Sequence, residues 1–234
     1  MNLDGSRILI TGGSLGIGRA AAQTLVASGA KVAITGRDKA RLEKAAKATG
    51  AYPIVADVAK REDVDQTYEA VLGEFGGLDC LVNNAGIGGR FPELEDLELS
   101  DLESVFGVNV FGAAMMAAKA VPIFKKQNHG HIINIGSTSG LKGGARSTVY
   151  SATKFALRSM TQTWQAELRK HNIRVILVNP SEVATAFANT DRVEREAPPN
   201  KLRSEEIAYA IKAVLEMDDR GMIPEFSVWA TNPW

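Results

Sequence analysis

The sequence contains few of the features that mark exported, nucleic-acid-binding or membrane proteins. Its single cysteine, Cys80, excludes an internal disulfide and favours a reducing compartment. Basic and acidic residues both number 27, so the formal net charge is zero and neither nucleic acid nor an anionic membrane is an expected partner. The first residues, MNLDGSRILITGG, lack a basic region followed by a long apolar stretch, so we expect no signal peptide. We also expect no segment to reach the length of a transmembrane span, and these absences together predict a cytoplasmic protein.

Short apolar runs alternate along the chain with longer amphipathic stretches. The apolar runs predict strands at 7–10, 31–35, 53–56, 78–82, 131–135, 174–178 and 222–228. The amphipathic stretches predict helices at 16–28, 38–48, 61–74, 100–127, 148–170 and 204–217. Gly29, Gly50 and Gly130 are placed to end three of these helices. The alternation predicts an α/β fold in which helices cover both faces of a parallel sheet. The length fits one domain spanning 1–234, with a polar loop at 186–200.

A glycine-rich segment, TGGSLGIG, follows the first predicted strand and opens the first predicted helix. Its glycines, Gly12, Gly16 and Gly18, allow a tight turn and a close approach of the backbone to a ligand. A pyrophosphate would then lie at the helix N-terminus, where free N–H groups and the helix dipole favour anions. A tight turn without a ligand is the alternative, but the strand–loop–helix context favours nucleotide binding.

Tyr150 and Lys154 lie four residues apart in YSATK, and Ser137 lies thirteen residues upstream of the tyrosine. Positions i and i+4 share one face of a helix, so the ammonium group can lie beside the phenol. A nearby cation lowers a tyrosine pKa from its usual value of about 10, which helps the phenol exchange a proton with a carbonyl or alcohol oxygen. A chance pairing on a helix is the alternative interpretation.

Taken in order, these motifs resemble the short-chain dehydrogenase/reductase family. They are TGxxxGxG, NNAG at 83–86, Asn109 in VNVFG, Ser137, and YxxxK at Tyr150 and Lys154. The resemblance extends from Thr11 to about Thr185. It implies a Rossmann-type doubly wound sheet of seven parallel strands, in the order 3-2-1-4-5-6-7, flanked by helices on both faces.

The resemblance also implies a catalytic set of Asn109, Ser137, Tyr150 and Lys154. Tyr150 would be the general acid in reduction and the general base in oxidation. Ser137 would hold the carbonyl oxygen, and Lys154 would lower the pKa of Tyr150 and bond the nicotinamide ribose. Asn109 would bind a water that links Lys154 to solvent. Alternatively, the Asn109 amide hydrogen-bonds within its own helix.

A nicotinamide cofactor is implied by the same resemblance. Asp57 would contact the adenine, and Thr185 would reach the nicotinamide amide. Turn capping is the alternative role for Asp57 and for the asparagines at 83–84. The expected cofactor-binding residues are Gly12, Ser14, Leu15, Gly16, Ile17, Gly18, Arg37, Asp57, Val58, Asn84, Ala85, Gly86, Tyr150, Lys154, Pro180, Val183 and Thr185.

The end of the second strand favours NADP(H) over NAD(H). An NAD enzyme is expected to place an acid there to bind the ribose hydroxyls, whereas this chain has Gly36 followed by Arg37. A guanidinium suits a 2′-phosphate through planar, charge-assisted hydrogen bonds. Asp38 opposes this interpretation, because a carboxylate folded back toward the site would repel the phosphate. NAD(H) therefore stays as the alternative cofactor.

The loops after the fourth, fifth and sixth strands should form the substrate pocket, and we expect Ser139, Leu141, Gly144 and Phe187 to line it. A ketone or secondary alcohol is the favoured substrate, which implies a carbonyl reductase or alcohol dehydrogenase. Alternatives are a 3-oxoacyl-[acyl-carrier-protein] reductase, a short hydroxy-acid dehydrogenase and, in a different class, a non-catalytic NADP(H)-sensing protein. Sensors of this kind typically lack the tyrosine or the lysine, and both are present here.

Two other features bear on the site. Ser181 stands after the sixth strand where the family commonly has glycine, so we expect the loop over the nicotinamide to follow a slightly different path. His129 and His131 in HGH suggest a metal, but no third ligand follows at a fitting spacing, so no metal is expected.

The helices predicted at 100–127 and 148–170 are too apolar for one sheet face to cover. Helices of this kind are buried on more than one side. The family commonly pairs these two helices across a two-fold axis. We therefore expect a homodimer or homotetramer, with a well-packed monomer as the alternative.

Overall fold

Seven parallel strands form one sheet in the structure, a computed structural model that describes residues 1–188, 193, 194 and 196–232. The strand order is β3-β2-β1-β4-β5-β6-β7, and every neighbouring pair is parallel. This confirms the predicted fold. The strands are β1 Arg7–Ile10, β2 Lys31–Gly36, β3 Tyr52–Val55, β4 Cys80–Asn83, β5 Gly130–Ile135, β6 Ile173–Pro180 and β7 Glu225–Val228.

Helices cover both faces of this sheet, and the alternation of side chains along each strand explains why. In β1, Ile8 and Ile10 are buried in one core, whereas Leu9 is buried in the other. The first core also contains residues of α1, α2 and α7, and the second contains residues of α3, α5 and α6. The helices are α1 Gly16–Ala27, α2 Lys39–Thr49, α3 Arg61–Phe75, α4 Leu99–Phe106, α5 Ala113–Gln127, α6 Thr148–Leu168 and α7 Ser204–Glu216.

The glycines expected at helix ends behave differently from one another. Gly50 ends α2 in the left-handed conformation, with φ of 78°, as predicted. Gly29, with φ of 89°, lies two residues beyond the end of α1. The prediction for Gly130 is wrong, because it begins β5 and Asn128 ends α5 with φ of 52°. Asparagine tolerates this conformation better than most residues with a side chain.

The helix predicted at 100–127 is interrupted by a π-helical turn at Gly107–Gly112, between α4 and α5. The whole stretch Leu99–Gln127 is 29 residues long and contains an 18-residue window with mean hydropathy of 1.5, so by length and composition it could cross a membrane. The expectation that no segment reaches this length is therefore wrong. Met116, Ala120 and Phe124 are nevertheless buried in the core beside the sheet, as in a core helix.

Candidate active site

The glycine loop between β1 and α1 is packed too closely for larger residues. A Cβ on Gly12 would lie 2.9 Å from Cα of Ala85, and φ of this glycine is 66°. A Cβ on Gly18 would lie 2.4 Å from Nδ2 of Asn84 and 2.5 Å from the carbonyl oxygen of Gly12. Both positions therefore require glycine, and the loop lies directly against the end of β4.

Asn84 supports this loop through its side chain. Its Nδ2 donates hydrogen bonds to the carbonyl oxygens of Thr11, at 2.9 Å, and Gly12, at 3.0 Å. In return, Oγ1 of Thr11 accepts from the backbone N–H groups of Asn84 and Ala85, both at 3.0 Å. Asn84 therefore fixes the path of the glycine loop as well as lining the cleft, and its amide bonds a distant segment of the chain rather than capping its own turn.

A cleft of about 600 Å³ opens at the carboxyl edge of the sheet, above the point where the strand order reverses. The predicted cofactor-binding residues line it with the exception of Gly18, which lies beneath the loop against Gly12 and Asn84. The lining residues predicted from the sequence are Gly12, Ser14, Leu15, Gly16, Ile17, Arg37, Asp57, Val58, Asn84, Ala85, Gly86, Tyr150, Lys154, Pro180, Val183 and Thr185.

Three basic side chains, Arg37, Lys39 and Arg41, line the cleft beyond the end of β2. Arg37 lies 3.8 Å from the carboxylate of Asp57, with 60% of its side chain exposed. Asp38 faces α2, because its carboxylate accepts from the backbone N–H of Arg41 at 2.9 Å and pairs with the Arg41 guanidinium at 3.3 Å. The expected obstacle to a 2′-phosphate is thus engaged as a helix cap. Lys39 and Arg41 were missed, although the run GRDKAR carries the signal.

Ser137 and Tyr150 meet at the opposite end of the cleft. Ser137 follows β5, and its hydroxyl accepts from the backbone N–H of Ser139 at 3.1 Å. Burial of the phenol raises the Tyr150 pKa above its ordinary value, and this effect is larger than that of the neighbouring Ser137 hydroxyl, which acts to lower the pKa. The expected lowering of the Tyr150 pKa is therefore not found in this structure.

Lys154 lies on the same face of α6 as Tyr150, one turn further along, with 6% of its surface exposed. Its Nζ donates to the carbonyl oxygen of Ile135 at 2.8 Å and lies 5.6 Å from the centre of the Tyr150 ring. Burial lowers the pKa of Lys154 to about 8. The ammonium is thus held by the end of β5 rather than in contact with the phenolic oxygen, which explains its small influence on Tyr150.

Asn109 lies in the π-helical turn and has 2% of its surface exposed. Its Oδ1 accepts from the N–H of Ile87, and its Nδ2 donates to the Ile87 carbonyl oxygen, both at 2.9 Å. Nδ2 also lies 3.1 Å from Oγ1 of Thr153 on α6. The alternative of bonding within its own helix is therefore wrong. The amide joins the loop after β4 to α6, beside Gly86 and Lys154, and short π-helical turns are frequent at functional sites.

Two phenylalanine rings flank Tyr150. The centre of the Phe187 ring lies 5.6 Å from that of Tyr150, and the Phe91 ring lies at 6.2 Å. A Cβ on Gly88 would lie 3.2 Å from the Phe187 ring and 3.4 Å from the Phe91 ring, so both rings lie next to Gly88. Within the part of the chain that the structure describes, Phe187 lines the cleft, whereas the predicted pocket residues Ser139, Leu141 and Gly144 do not. Gly144 belongs to an exposed loop.

Ser181 lines the cleft and keeps a regular backbone. Its N–H donates to the carbonyl oxygen of Val228 at 2.9 Å, which continues the pairing of β6 with β7. Its φ is not among the positive values found at Asn128, Arg146 and Asn172. A side chain at this position is therefore accommodated without strain.

The histidine pair of HGH lies at the opposite edge of the sheet, and the fold brings Asp219 within 4.8 Å of both rings. The third oxygen or nitrogen ligand that the sequence did not suggest is therefore present. Yet Asp219 pairs with Arg174 at 3.2 Å and with the amino terminus at 3.5 Å, and Arg174 donates to Nδ1 of His131 at 3.1 Å. These cationic partners and the burial of His131 lower its pKa strongly. The cluster is best described as an ion-pair network.

The fold and the cleft define a class of protein. A glycine loop at the switch point of a doubly wound parallel sheet, with serine, tyrosine and lysine side chains at the other end of the same cleft, is typical of dinucleotide-dependent oxidoreductases of the Rossmann type. The model of the short chain dehydrogenase family matches residues 6–196, and the chain belongs to that family.

Related proteins agree with this assignment over nearly the whole chain. An uncharacterised oxidoreductase of Staphylococcus aureus (strain MRSA252) is 35% identical over 224 residues, which cover 94% of this chain and 95% of that protein. The structure of a 3-ketoacyl-(acyl-carrier-protein) reductase from Brucella melitensis, complexed with NADH, superposes with a TM-score of 0.89 at 31% identity, covering 99% and 100% of the two chains. The closed form of a serine dehydrogenase complexed with NADP+ gives 0.87 at 27% identity, covering 94% and 93%. The chain is therefore an oxidoreductase that uses a nicotinamide cofactor.

Proposed function

We propose that the protein is an NADP(H)-dependent carbonyl reductase/alcohol dehydrogenase that interconverts a ketone and a secondary alcohol. The observation that carries this proposal is that Ser137, Tyr150 and Lys154 line the same end of the cleft, with Lys154 one helical turn from Tyr150. A bound nicotinamide would supply or accept the hydride. The glycine loop, Asn84 and Thr185 would hold the dinucleotide along the cleft.

Tyr150 is suited to donate a proton to a carbonyl oxygen. Because burial raises its pKa, the phenol holds its proton at neutral pH, which is the form that reduction requires. Ser137 would hold the same oxygen through its hydroxyl. Lys154, with a pKa lowered to about 8, would hold the nicotinamide ribose and keep a proton available near Tyr150. Asn109 and Thr153 would keep α6 and the loop after β4 in register around this path.

The charges at the adenosine end favour NADP(H). Arg37, Lys39 and Arg41 surround the place where a ribose 2′-phosphate would lie, if adenine lies beside Asp57. Asp38 also lines the cleft, but its carboxylate caps α2 and pairs with the Arg41 guanidinium, which offsets its charge there. NAD(H) is the alternative, and the ratio of kcat/KM for NADPH and NADH distinguishes the two.

The walls beside Tyr150 favour an apolar ketone. Phe187 lines the cleft beside Tyr150, and Phe91 packs edge-on against the same tyrosine ring from outside the cleft lining. Apolar walls with a few placed polar groups are typical of small-molecule sites. A bulky hydrophobic ketone would therefore bury more surface here than a short hydroxy acid would.

A spectrophotometric assay tests the proposal. NADPH oxidation is followed with a panel that contains a hydrophobic cyclic ketone, a small aliphatic ketone, a short 3-oxo acid and an acetoacetyl thioester. We expect turnover with the hydrophobic ketone, and we expect Tyr150→Phe to abolish it while the affinity for NADPH stays within two-fold. Full activity in Tyr150→Phe would contradict the role of the phenol. NADPH binding without turnover on any compound would favour the non-catalytic sensor.

A 3-oxoacyl-[acyl-carrier-protein] reductase is the second candidate. It is favoured by the 31% identity to such a reductase over the entire chain. Against it, carrier-protein reductases of this family tend to have basic residues just before the HG turn and before the sixth strand, where this chain has Asn128 and His171, and Asn128 ends α5. Nearby basic residues could substitute for them, namely Lys125, Lys126, Arg169 and Lys170. A kcat/KM for the acetoacetyl thioester above that for the hydrophobic ketone would establish this alternative.

We also propose that the protein is cytoplasmic and forms a homodimer or homotetramer. Phe111, on the π-helical turn, is 57% exposed, and Phe155, on α6, is 43% exposed. Contact with a second copy would remove these rings from water. Light scattering after size-exclusion chromatography tests the assembly, and Phe155→Glu should shift it toward the monomer.

A further inference from the structure

The carboxylate of Glu194 lies at the N-terminus of α1, where the glycine loop joins the helix. Its Oε1 accepts a hydrogen bond from the backbone N–H of Gly16 at 2.7 Å. Its Oε2 lies 2.7 Å from Nη2 of Arg19, in the first turn of the same helix. Thr185 also lies over this point, since a Cβ on Gly16 would be 3.2 Å from its Cγ2. One carboxylate thus bridges the loop and the guanidinium.

The sequence of α1 supplies no anion of its own for this position. The residue before the helix is Leu15, which has no side-chain oxygen, and the first turn carries no acid. The N–H groups of a first helical turn lack partners within the helix and favour negative charge. Glu194, 178 residues further along the chain, provides that charge.

The pyrophosphate of a dinucleotide needs the same place. Gly16 lies between the basic end of the cleft, at Arg37, and the catalytic end, at Tyr150, and all three line it. The phosphates of a dinucleotide that spans the two ends would therefore lie near the Gly16 N–H, at the N-terminus of α1. The carboxylate of Glu194 and a phosphate oxygen cannot both accept from that N–H.

We propose that Arg19 is a ligand of the cofactor pyrophosphate, and that Glu194 is an internal anion which holds the pyrophosphate position until the cofactor displaces it. This inference depends on the dinucleotide binding of the proposed function but not on its substrate. On displacement, Arg19 exchanges a carboxylate for a phosphate oxygen, and a guanidinium binds either anion through charge-assisted hydrogen bonds. Glu194 is then released from the cleft.

The competition should be modest in size. The side chains of Arg19 and Glu194 are 40% and 28% exposed, and pairs with such exposure contribute little to stability. An occupant that blocks the site for most of the time weakens the apparent affinity by the reciprocal of the unblocked fraction. We therefore expect removal of the Glu194 charge to tighten cofactor binding about 3- to 10-fold.

Fluorescence titration of the protein with NADPH and with NADH tests the proposal without any substrate. Glu194→Gln should lower the Kd of both cofactors by the same factor, because both carry the pyrophosphate. Glu196→Gln removes the same charge two residues away, from an exposed position, and should leave both Kd values unchanged. Arg19→Gln should raise both Kd values about 10-fold, and Arg19→Lys should recover part of that loss.

Arg37→Gln provides the comparison for a contact outside the pyrophosphate, since it should weaken NADPH alone. Unchanged or weaker binding in Glu194→Gln would overturn the role of Glu194 as a competitor. Unchanged binding of both cofactors in Arg19→Gln, with an unaltered circular dichroism spectrum, would overturn Arg19 as a ligand. Lack of ketone turnover would contradict the proposed function but would leave these binding results intact.

Discussion

Replacing Lys154 by methionine should stabilise the protein while it removes activity. Lys154 is almost fully buried, and burial lowers its pKa from 10.5 to about 8. Each pH unit of such a change corresponds to about 1.4 kcal/mol, so holding the charged amine in the folded protein at pH 7 costs about 3 kcal/mol. Methionine has a similar length and carries no charge to desolvate.

Part of this gain in stability is lost again because the carbonyl group of Ile135 loses its hydrogen-bond donor. The carbonyl oxygen of Ile135 accepts from Nζ of Lys154 at 2.8 Å, and methionine leaves this acceptor without its donor. A buried polar group without a partner costs about 1–3 kcal/mol. We therefore expect Lys154→Met to raise the free energy of unfolding at pH 7 by about 1 kcal/mol, with turnover abolished.

The pH dependence separates the two contributions. Between pH 8 and 10.5 the unfolded chain holds the lysine proton and the folded protein does not, so the stability of the wild type rises with pH in this window. The loss of the carbonyl partner does not depend on pH. The advantage of the variant over the wild type should therefore fall by about 2–3 kcal/mol between pH 7 and pH 10.

Urea denaturation followed by circular dichroism, at pH 7 and at pH 10, measures this difference. Lys44→Met, at an exposed position on α2, is the matched control and should show no comparable change with pH. A difference between Lys154→Met and the wild type that is the same at both pH values would refute the reasoning. It would mean that Lys154 keeps an ordinary pKa in the folded protein.

Three further substitutions and one control substitution have defined outcomes. Arg37→Gln should lower kcat/KM with NADPH about 10-fold and change that with NADH by less than two-fold, since only the 2′-phosphate contact is lost. Gly18→Ala should destabilise the protein by about 1–3 kcal/mol in thermal denaturation, because the new Cβ would lie 2.4 Å from Nδ2 of Asn84. Gly73→Ala is the control, since its Cβ meets nothing within 4 Å in α3 and should raise stability by about 0.5–1 kcal/mol. Phe91→Ala should lower kcat/KM for a hydrophobic ketone about 10-fold and leave a small aliphatic ketone nearly unaffected in steady-state assays.

Local pattern predicts the fold well here because each element carries its own signal. The alternation of apolar runs with amphipathic stretches places all seven strands within a few residues of their observed bounds. Helical periodicity also places Tyr150 and Lys154 on one face of α6 without reference to any other element. Errors appear where two neighbouring residues could each end a helix, as at the end of α5, where Asn128 rather than Gly130 adopts the left-handed conformation.

The pKa shifts of the site residues were predicted less well than the positions of those residues. Sequence spacing correctly brings the lysine near the tyrosine, but it does not reveal that Nζ is held by Ile135 or that the phenol is buried. The direction in which a pKa shifts depends on the balance between desolvation and nearby charge. Both quantities are properties of the packed structure, so the expected lowering of the Tyr150 pKa was reversed.

The sequence by itself determined the order of elements, the glycine loop and the presence of serine, tyrosine and lysine, since these depend on residues close together in the chain. The tertiary structure alone decided that Asn84 supports Gly12, that Phe91 faces Tyr150, and that Glu194 reaches Gly16. These contacts join residues 59 to 178 positions apart, as in Phe91 with Tyr150 and Gly16 with Glu194. No local periodicity encodes such pairs, because they form only when strand order and helix packing bring distant segments to the same edge of the sheet.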